Sequence, residues 1–214
     1  MAEPKRPRLI LASGSRSRRE MLQAAGLDFE AVPSTVDEDA AKRAISAGAQ
    51  TWSSPVGFAA AVAERLAGEK ARDVSARSPG AIVVGADQTL ALLGGESGKT
   101  FDKPSGLAEA RNQLGEMRGR THVLVSAVAV VRDGKVLWSH RDEAHLTMRD
   151  FSDAFLDDYL ARAGEKVCTS VGAYQLEGLG IQLFESITGD YFTILGMPLL
   201  PLLAELRRQG IVGT

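Results

Sequence analysis

Three groups of residues have types and spacing suited to chemistry. The first is Ser13-Gly14-Ser15-Arg16-Ser17-Arg18-Arg19, which leaves a short apolar run and enters a helical pattern. A helix start exposes unpaired backbone N–H groups and the positive end of the helix dipole, so it suits an anion. Serine hydroxyls add donors, and arginines fork onto phosphate oxygens. The same residues would also serve as a capped surface helix with solvated arginines. The second group is Val83-Val84-Gly85-Ala86-Asp87-Gln88. An apolar strand delivers Asp87 and Gln88 just past its end, where ligands bind in open α/β sheets. A carboxylate there can hold a divalent metal or take a proton from water, or it can simply open a turn. The third is Asp37-Glu38, hard oxygen ligands suited to magnesium or manganese, or a solvated acidic turn. Lys70 and Lys103 gain interest only in the company of these groups.

Other chemistries find little support. Gly94-Gly95-Glu96-Ser97-Gly98-Lys99-Thr100 looks like a phosphate-binding P-loop, but that motif needs four residues between its glycines. Counting back from Gly98, the required position is Leu93. Asp102 and Pro104 follow instead of an apolar-periodic helix, so the stretch reads as a hairpin turn. His122, His140 and His145 have no zinc-type spacing, and Cys168 has no neighbour suggesting a thiol mechanism.

The elements that must position these groups are read from periodicity. Leu9 to Ala12 is a buried strand, Ser13 to Ser15 a turn, and Arg18 to Ala25 a helix stopped by Gly26. Phe29 to Val32 is a strand. Ala40 to Ser54 is small and polar, and Phe58 to Val74 is the clearest helix. Ala81 to Val84 is a strand, with Thr89 to Leu93 its continuation or hairpin partner. Leu107 to Met117 is helical. Val123 to Val131 and Val136 to His145 flank Asp133-Gly134, a hairpin signal. Ser152 caps a helix to about Arg162, Gly178 to Ile187 contains a strand, and Pro198 sits in the first turn of a helix over Leu199 to Arg208. Helices and strands alternate and then strands cluster. That predicts an α/β (mixed α+β) fold on one mixed sheet, with residues 1–214 as a single domain.

The chain has 214 residues, 44% of them hydrophobic, enough for a sizeable core. A net charge of −2 gives no broad basic field for nucleic acid, so an anionic substrate needs a local cluster of Lys and Arg. Cys168 is the single cysteine, which suits a reducing compartment. The apolar run after the basic N-terminal residues is too short for a signal-peptide core, and no run is long enough to span a membrane. The expectation is a cytoplasmic protein.

Taken in order, LILASGSRSRREMLQAAGLDF, VDE (Val36 to Glu38), RLAGEKA (Arg65 to Ala71), VGADQ (ending at Gln88), DKP (Asp102 to Pro104), GAYQLEGLG (Gly172 to Gly180) and TGDYFTILGMPL (Thr188 to Leu199) resemble the Maf family of nucleoside triphosphate pyrophosphatases. The resemblance runs from about Leu9 to Leu206. Each motif is weak alone, and the set in register is specific.

The resemblance implies a fold like that of inosine-triphosphate pyrophosphatases, a mixed sheet flanked by helices with a cleft between two lobes. It implies hydrolysis of a nucleoside triphosphate to the monophosphate and pyrophosphate, a divalent cation (Mg²⁺ or Mn²⁺), and often a homodimer. The family's active-site aspartate falls on Asp87. Its phosphate-binding serine and arginine fall on Ser13 and Arg18, with Arg19 beside them. Its lysines fall on Lys70 and Lys103, its acidic residue on Glu38, and positions tied to base selectivity on Ser17, Gln88 and Glu177. One branch prefers thymidine and uridine triphosphates; another, with Gln and Glu at the positions of Gln88 and Glu177, prefers 7-methyl-GTP. Arg16 stands where the family has a proline, Ser126-Ala127 where Thr-Gly is common, and Lys99 lies close enough in sequence to compete with Lys103. Rival readings are a dTTP/UTP pyrophosphatase, a phosphatase releasing single phosphates, and a non-catalytic nucleotide-binding regulator of cell division.

Overall fold

The computed structural model describes residues 7–47, 54–94 and 99–213. Its frame is one mixed seven-stranded sheet in the order β2-β1-β3-β5-β6-β7, with β4 also paired to β3. The strands are β1 (Leu9–Leu11), β2 (Glu30–Ala31), β3 (Ile82–Leu92), β4 (Lys99–Phe101), β5 (Thr121–Arg132), β6 (Lys135–Met148) and β7 (Phe184–Thr188). The helices are α1 (Arg16–Ala24), α2 (Glu38–Ser46), α3 (Pro55–Ala76), α4 (Leu107–Met117), α5 (Asp153–Ala163), α6 (Tyr191–Ile194) and α7 (Leu199–Arg208). No helix among the described residues is long and apolar enough to cross a membrane.

Strand β3 organises the sheet. Leu9–Leu11 pairs parallel with Ile82–Val84 on one edge, while Lys99–Phe101 pairs antiparallel with Leu90–Leu92 further along that chain. The stretch from Gly85 to Thr89 therefore pairs only with β5, between the end of β1 and the start of β4. This opening in the sheet is where the loop after β1 turns into α1.

Alternation along β3 divides its neighbours between two faces. Ile82, Val84 and Ala86 pack with Leu9, Leu11, Met21, Leu22, Leu202 and Leu206, under α1 and α7. Leu90 and Leu92 share that parity but pack with Leu114, Met117, Leu156 and Leu160, under α4 and α5. Gln88 has the same parity and lies between these two apolar clusters. The opposite face is covered by α3, whose Ala59, Ala63 and Ala67 meet Ala91, Val123, Val125 and Ala127. Small side chains on both sides let helix and sheet approach closely. Gly85 is the tightest point: a Cβ there would lie 2.2 Å from the Ala67 carbonyl oxygen and 2.7 Å from the Ala71 nitrogen.

Several local expectations hold. Asp133 and Gly134 adopt positive φ in the β5–β6 turn, the backbone twist that a two-residue hairpin requires. The Ser152 side chain accepts from the Phe155 N–H at the start of α5. Thr89–Leu92 continues β3 rather than forming its hairpin partner. The hairpin expected at Gly94–Thr100 agrees with the antiparallel pairing of Leu92 with Lys99; residues 95–98 lie outside the described residues.

Others are corrected. Helix α1 starts at Arg16, because the Ser15 side chain caps it by accepting from the Arg18 N–H. The strand expected over Phe29 to Val32 shrinks to Glu30–Ala31. Helix α2 covers the segment read only as small and polar as far as Ser46, and residues 48–53 of that segment lie outside the described residues; Asp37 caps the helix, and only Ala41 and Ile45 are buried. In the segment from Gly178, a 3-10 turn over Leu179–Leu183 precedes strand β7. Pro198 is the cap of α7 rather than a residue of its first turn.

Candidate active site

The opening in the sheet is lined by side chains that the sequence scatters from Ser13 to Lys103. Asp87 sits there almost fully buried, at 6% exposure. Because α3 presses against Gly85, its next turn brings Lys70 over the carboxylate, and Lys70 Nζ donates to Asp87 Oδ1 at 2.7 Å. The same ammonium lies 2.6 Å from Glu38 Oε1, from the first turn of α2. One lysine thus bridges two carboxylates, one buried and one half-exposed.

Across the opening, Ser13 is buried and accepts hydrogen bonds from the Ser15 N–H at 3.1 Å and from Arg18 Nη1 at 3.3 Å. Arg18 Nε donates to the Gly196 carbonyl at 2.9 Å. Gly196 has φ near 103°, and a Cβ there would stand 3.4 Å from Arg18 Nη2. Only glycine gives both that backbone conformation and that clearance. The guanidinium is therefore held from two sides rather than waving from the helix.

Burial raises the Asp87 carboxyl above the ordinary aspartate range, and the charges of Lys70 and Arg18 offset this only in part. For Glu38, burial also works against the charge. The Lys70 hydrogen bond and charge, aided by Lys103 and Lys42, more than offset it and hold this carboxyl below its usual range. Burial lowers the Arg18 guanidinium, with Asp87 and Glu38 pulling the other way. A buried carboxyl pushed up beside a carboxylate held down is the pattern that separates a proton acceptor from a permanently charged partner.

The structure brings Ser13, Arg18, Glu38, Lys70 and Asp87 together, and the charge of Lys103 reaches Glu38. Lys99 goes elsewhere: its ammonium pairs with Glu116 at 2.9 Å. Arg19 is exposed and its side chain meets no partner among the described residues. Arg16 points to solvent and pairs with Glu20, so the residue in the family's proline position stays out of the cluster. Ser17, Gln88 and Glu177 line one cavity with Tyr174, Leu176 and Ile194. Glu177 itself is exposed at the rim.

Sequence reasoning missed α6 and the turn after it. Nothing in the residue types of Thr193, Ile194 and Gly196 announces that their carbonyls hold Gln88 and Arg18. The conjunction of Gly196 with Pro198 was the available signal of a special backbone. Also missed was the ion pair of Lys42 on α2 with Asp102, which ties the element carrying Glu38 to the loop carrying Lys103.

These features define a mixed α/β protein whose charged cluster sits where the parallel pairing of β1 with β3 ends; Asp87 and Gln88 lie within β3 rather than past its end, because β5 continues to pair with them. The chain belongs to the Maf family: the family described as Maf-like protein matches residues 8–209. It is 49% identical over 206 residues to a protein of Rhizobium etli named 7-methyl-GTP pyrophosphatase, covering 96% of this chain and 98% of the relative. It is 50% identical to a protein of Nitrobacter hamburgensis named nucleoside triphosphate pyrophosphatase, covering 95% of each. A solved HAM1 protein from Coxiella burnetii is similar at 16% identity and TM-score 0.41, covering 68% of this chain and 74% of that one.

Proposed function

We propose that this chain is a nucleoside triphosphate pyrophosphatase, acting on 7-methyl-GTP or a closely related guanine triphosphate. The observation that carries the reading is the pair of carboxylates, Asp87 and Glu38, gathered on Lys70 at the opening that Ser13 and Arg18 face from the other side. Membership of the Maf family, and the activities named for relatives of about half-identical sequence, support it.

A triphosphate carries nearly four negative charges, so the site must neutralise before it can catalyse. Ser13 and Arg18 would grip phosphate oxygens with hydrogen-bond donors already oriented by Gly196. Lys70 and Lys103 would add fixed positive charge, and Arg19 would reach the substrate from the rim. Asp87, raised by burial, would orient the attacking water and take its proton. Attack at the α-phosphorus then expels pyrophosphate.

Glu38 and Asp87 also suit a Mg²⁺ or Mn²⁺ ion, which is held through one or two carboxylates, water and substrate phosphates rather than a full protein cage. Their convergence on one ammonium supports placing the ion beside this pair. Such an ion would supply charge neutralisation on the phosphate oxygens. Ser17, Gln88 and Glu177 would face the base. A carboxylate only accepts hydrogen bonds, which suits the adjacent N1–H and amine of guanine and opposes the carbonyls of uracil and thymine. A cytoplasmic homodimer that clears modified nucleotides before polymerases use them completes the reading. The test is a screen of common and modified triphosphates with pyrophosphate and phosphate quantified separately. Pyrophosphate release, highest with 7-methyl-GTP, is expected; orthophosphate alone would overturn it in favour of a phosphatase.

A further inference from the structure

The side-chain amide of Gln88 is tied down on one side. Its Nε2 donates to Ser126 Oγ, to the Thr193 carbonyl and to the Ile194 carbonyl, each at 3.0 Å. A carbonyl can only accept, so the nitrogen side of the amide must face them and the oxygen must face away. Among the described residues Oε1 accepts no hydrogen bond in return. It lies toward Gly196, 3.6 Å from where a Cβ would stand.

The lock is built from three elements. The β3–β5 register sets Ser126 directly across from Gln88, so the two side chains meet as cross-strand neighbours. The Ser126 hydroxyl is fully buried and spends its proton on the Thr193 carbonyl at 2.7 Å. That leaves its lone pair as the acceptor for Gln88. The two carbonyls lie at the end of α6, a helix of one turn, where the Thr193 carbonyl also accepts from the Gly196 N–H at 3.1 Å. Asp190 fixes that turn by accepting from the Thr193 N–H at 2.9 Å. The two N–H groups are shared among these three acceptors, and rotating the amide by half a turn would set oxygen against two carbonyl oxygens and forfeit the bonds to them.

We infer that Ser126 is a positioning residue for base selection: through Gln88 it presents the cavity with a fixed acceptor and no donor. With the Glu177 carboxylate on the same cavity, the base must bring adjacent donors, as guanine does and uracil does not. The inference rests on the proposed nucleotide reading and adds to it the group that removes the ambiguity of a glutamine, which otherwise can donate or accept.

The experiment compares the parent with Ser126→Ala and Ser126→Thr. Steady-state kcat/KM is measured for GTP and UTP, and hydrogen exchange of the Gln88 side-chain amide is followed by ¹⁵N NMR. Ser126→Ala removes one acceptor of the amide and the hydroxyl that holds the Thr193 carbonyl, which loosens the lock, so the GTP-to-UTP ratio is expected to fall about tenfold or more, with faster amide exchange. Ser126→Thr keeps the hydroxyl and restores both the ratio and the slow exchange. A ratio unmoved by Ser126→Ala in an active enzyme, or a parent amide exchanging at the rate of a free glutamine, overturns the inference. The exchange measurement needs neither turnover nor the alanine variant to fold. If no triphosphate is hydrolysed, the activity reading fails on its own, and amide exchange still decides the positioning claim.

Discussion

Lys70 on α3 and Asp87 on β3 form a buried ion pair 2.7 Å long, with under a tenth of either side chain exposed. The pair is made by packing: Gly85 lets the helix close on the strand, and both charges lose their water together. Removing one partner of such a pair leaves the other uncompensated, at about 3–5 kcal/mol. Lys70→Met is expected to destabilise the fold by that order and to reduce activity, because Asp87 and Glu38 then repel across the vacated position. Urea denaturation checks it; a midpoint within error of the parent would show that the pair contributes nothing.

The Asp87 carboxyl is raised in the folded protein, burial outweighing its cationic neighbours. Its folded state binds a proton more tightly than the unfolded chain, so this group's stabilising contribution is complete below the ordinary aspartate value. It is lost as pH rises through the folded value. Lys70 keeps Glu38 as its partner when Asp87 loses its charge, so Asp87→Asn is expected to keep or raise the thermal midpoint at neutral pH while lowering kcat by about a hundredfold to ten-thousandfold. In the parent, kcat falls with acid at a pH above the usual aspartate range. Activity of Asp87→Asn within a few-fold of the parent would sink the assignment.

Arg18 and Arg16 sit two residues apart on α1 and do opposite things. Arg18 is anchored by Ser13 and Gly196, whereas Arg16 is paired with Glu20 in solvent. Arg18→Ala is expected to raise KM and lower kcat together, since a held guanidinium stabilises charge in both ground and transition states. Arg16→Ala should change neither by more than about twofold, and its solvent-exposed pair adds little to stability. The reverse order of sensitivity would mean that the loop works with the other arginine.

His122 governs acid stability rather than catalysis. It is fully buried, with Nε2 2.8 Å from the Tyr174 hydroxyl, and burial lowers its pKa to about 3 from 6.5. The stability this neutral ring contributes is complete above the unfolded value and is lost as pH falls through the window between 6.5 and about 3. The loss across that window is roughly 5 kcal/mol. His122→Gln cannot titrate, so its unfolding free energy should fall less steeply below pH 6.5, whatever its absolute stability. Parallel profiles would remove His122 as the acid-sensitive group.

Elements with strong periodicity were legible in the sequence, and marginal ones were not. The β5–β6 hairpin announces itself through Asp133-Gly134, and α3 through its regular small apolar face. Helix α2 buries only Ala41 and Ile45, so its stripe is too thin to read, although its Asp37 cap was in plain sight. Helix α6 is a single turn whose stability is tertiary, since Ser126 and Gln88 satisfy its carbonyls. For the charged cluster, residue types and motif order pointed to Asp87, Lys70, Glu38, Ser13 and Arg18. What they could not convey was who holds whom. The grip of Gly196 on Arg18 and of α6 on Gln88 is made by backbone carbonyls, which every residue type possesses.

The central claim is that water attacks the α-phosphorus and pyrophosphate leaves. Hydrolysis of 7-methyl-GTP in ¹⁸O-labelled water, with products resolved by mass spectrometry, tests it most directly. The account predicts one labelled oxygen in the nucleoside monophosphate and none in the pyrophosphate. Label in pyrophosphate, or in released orthophosphate, would contradict it.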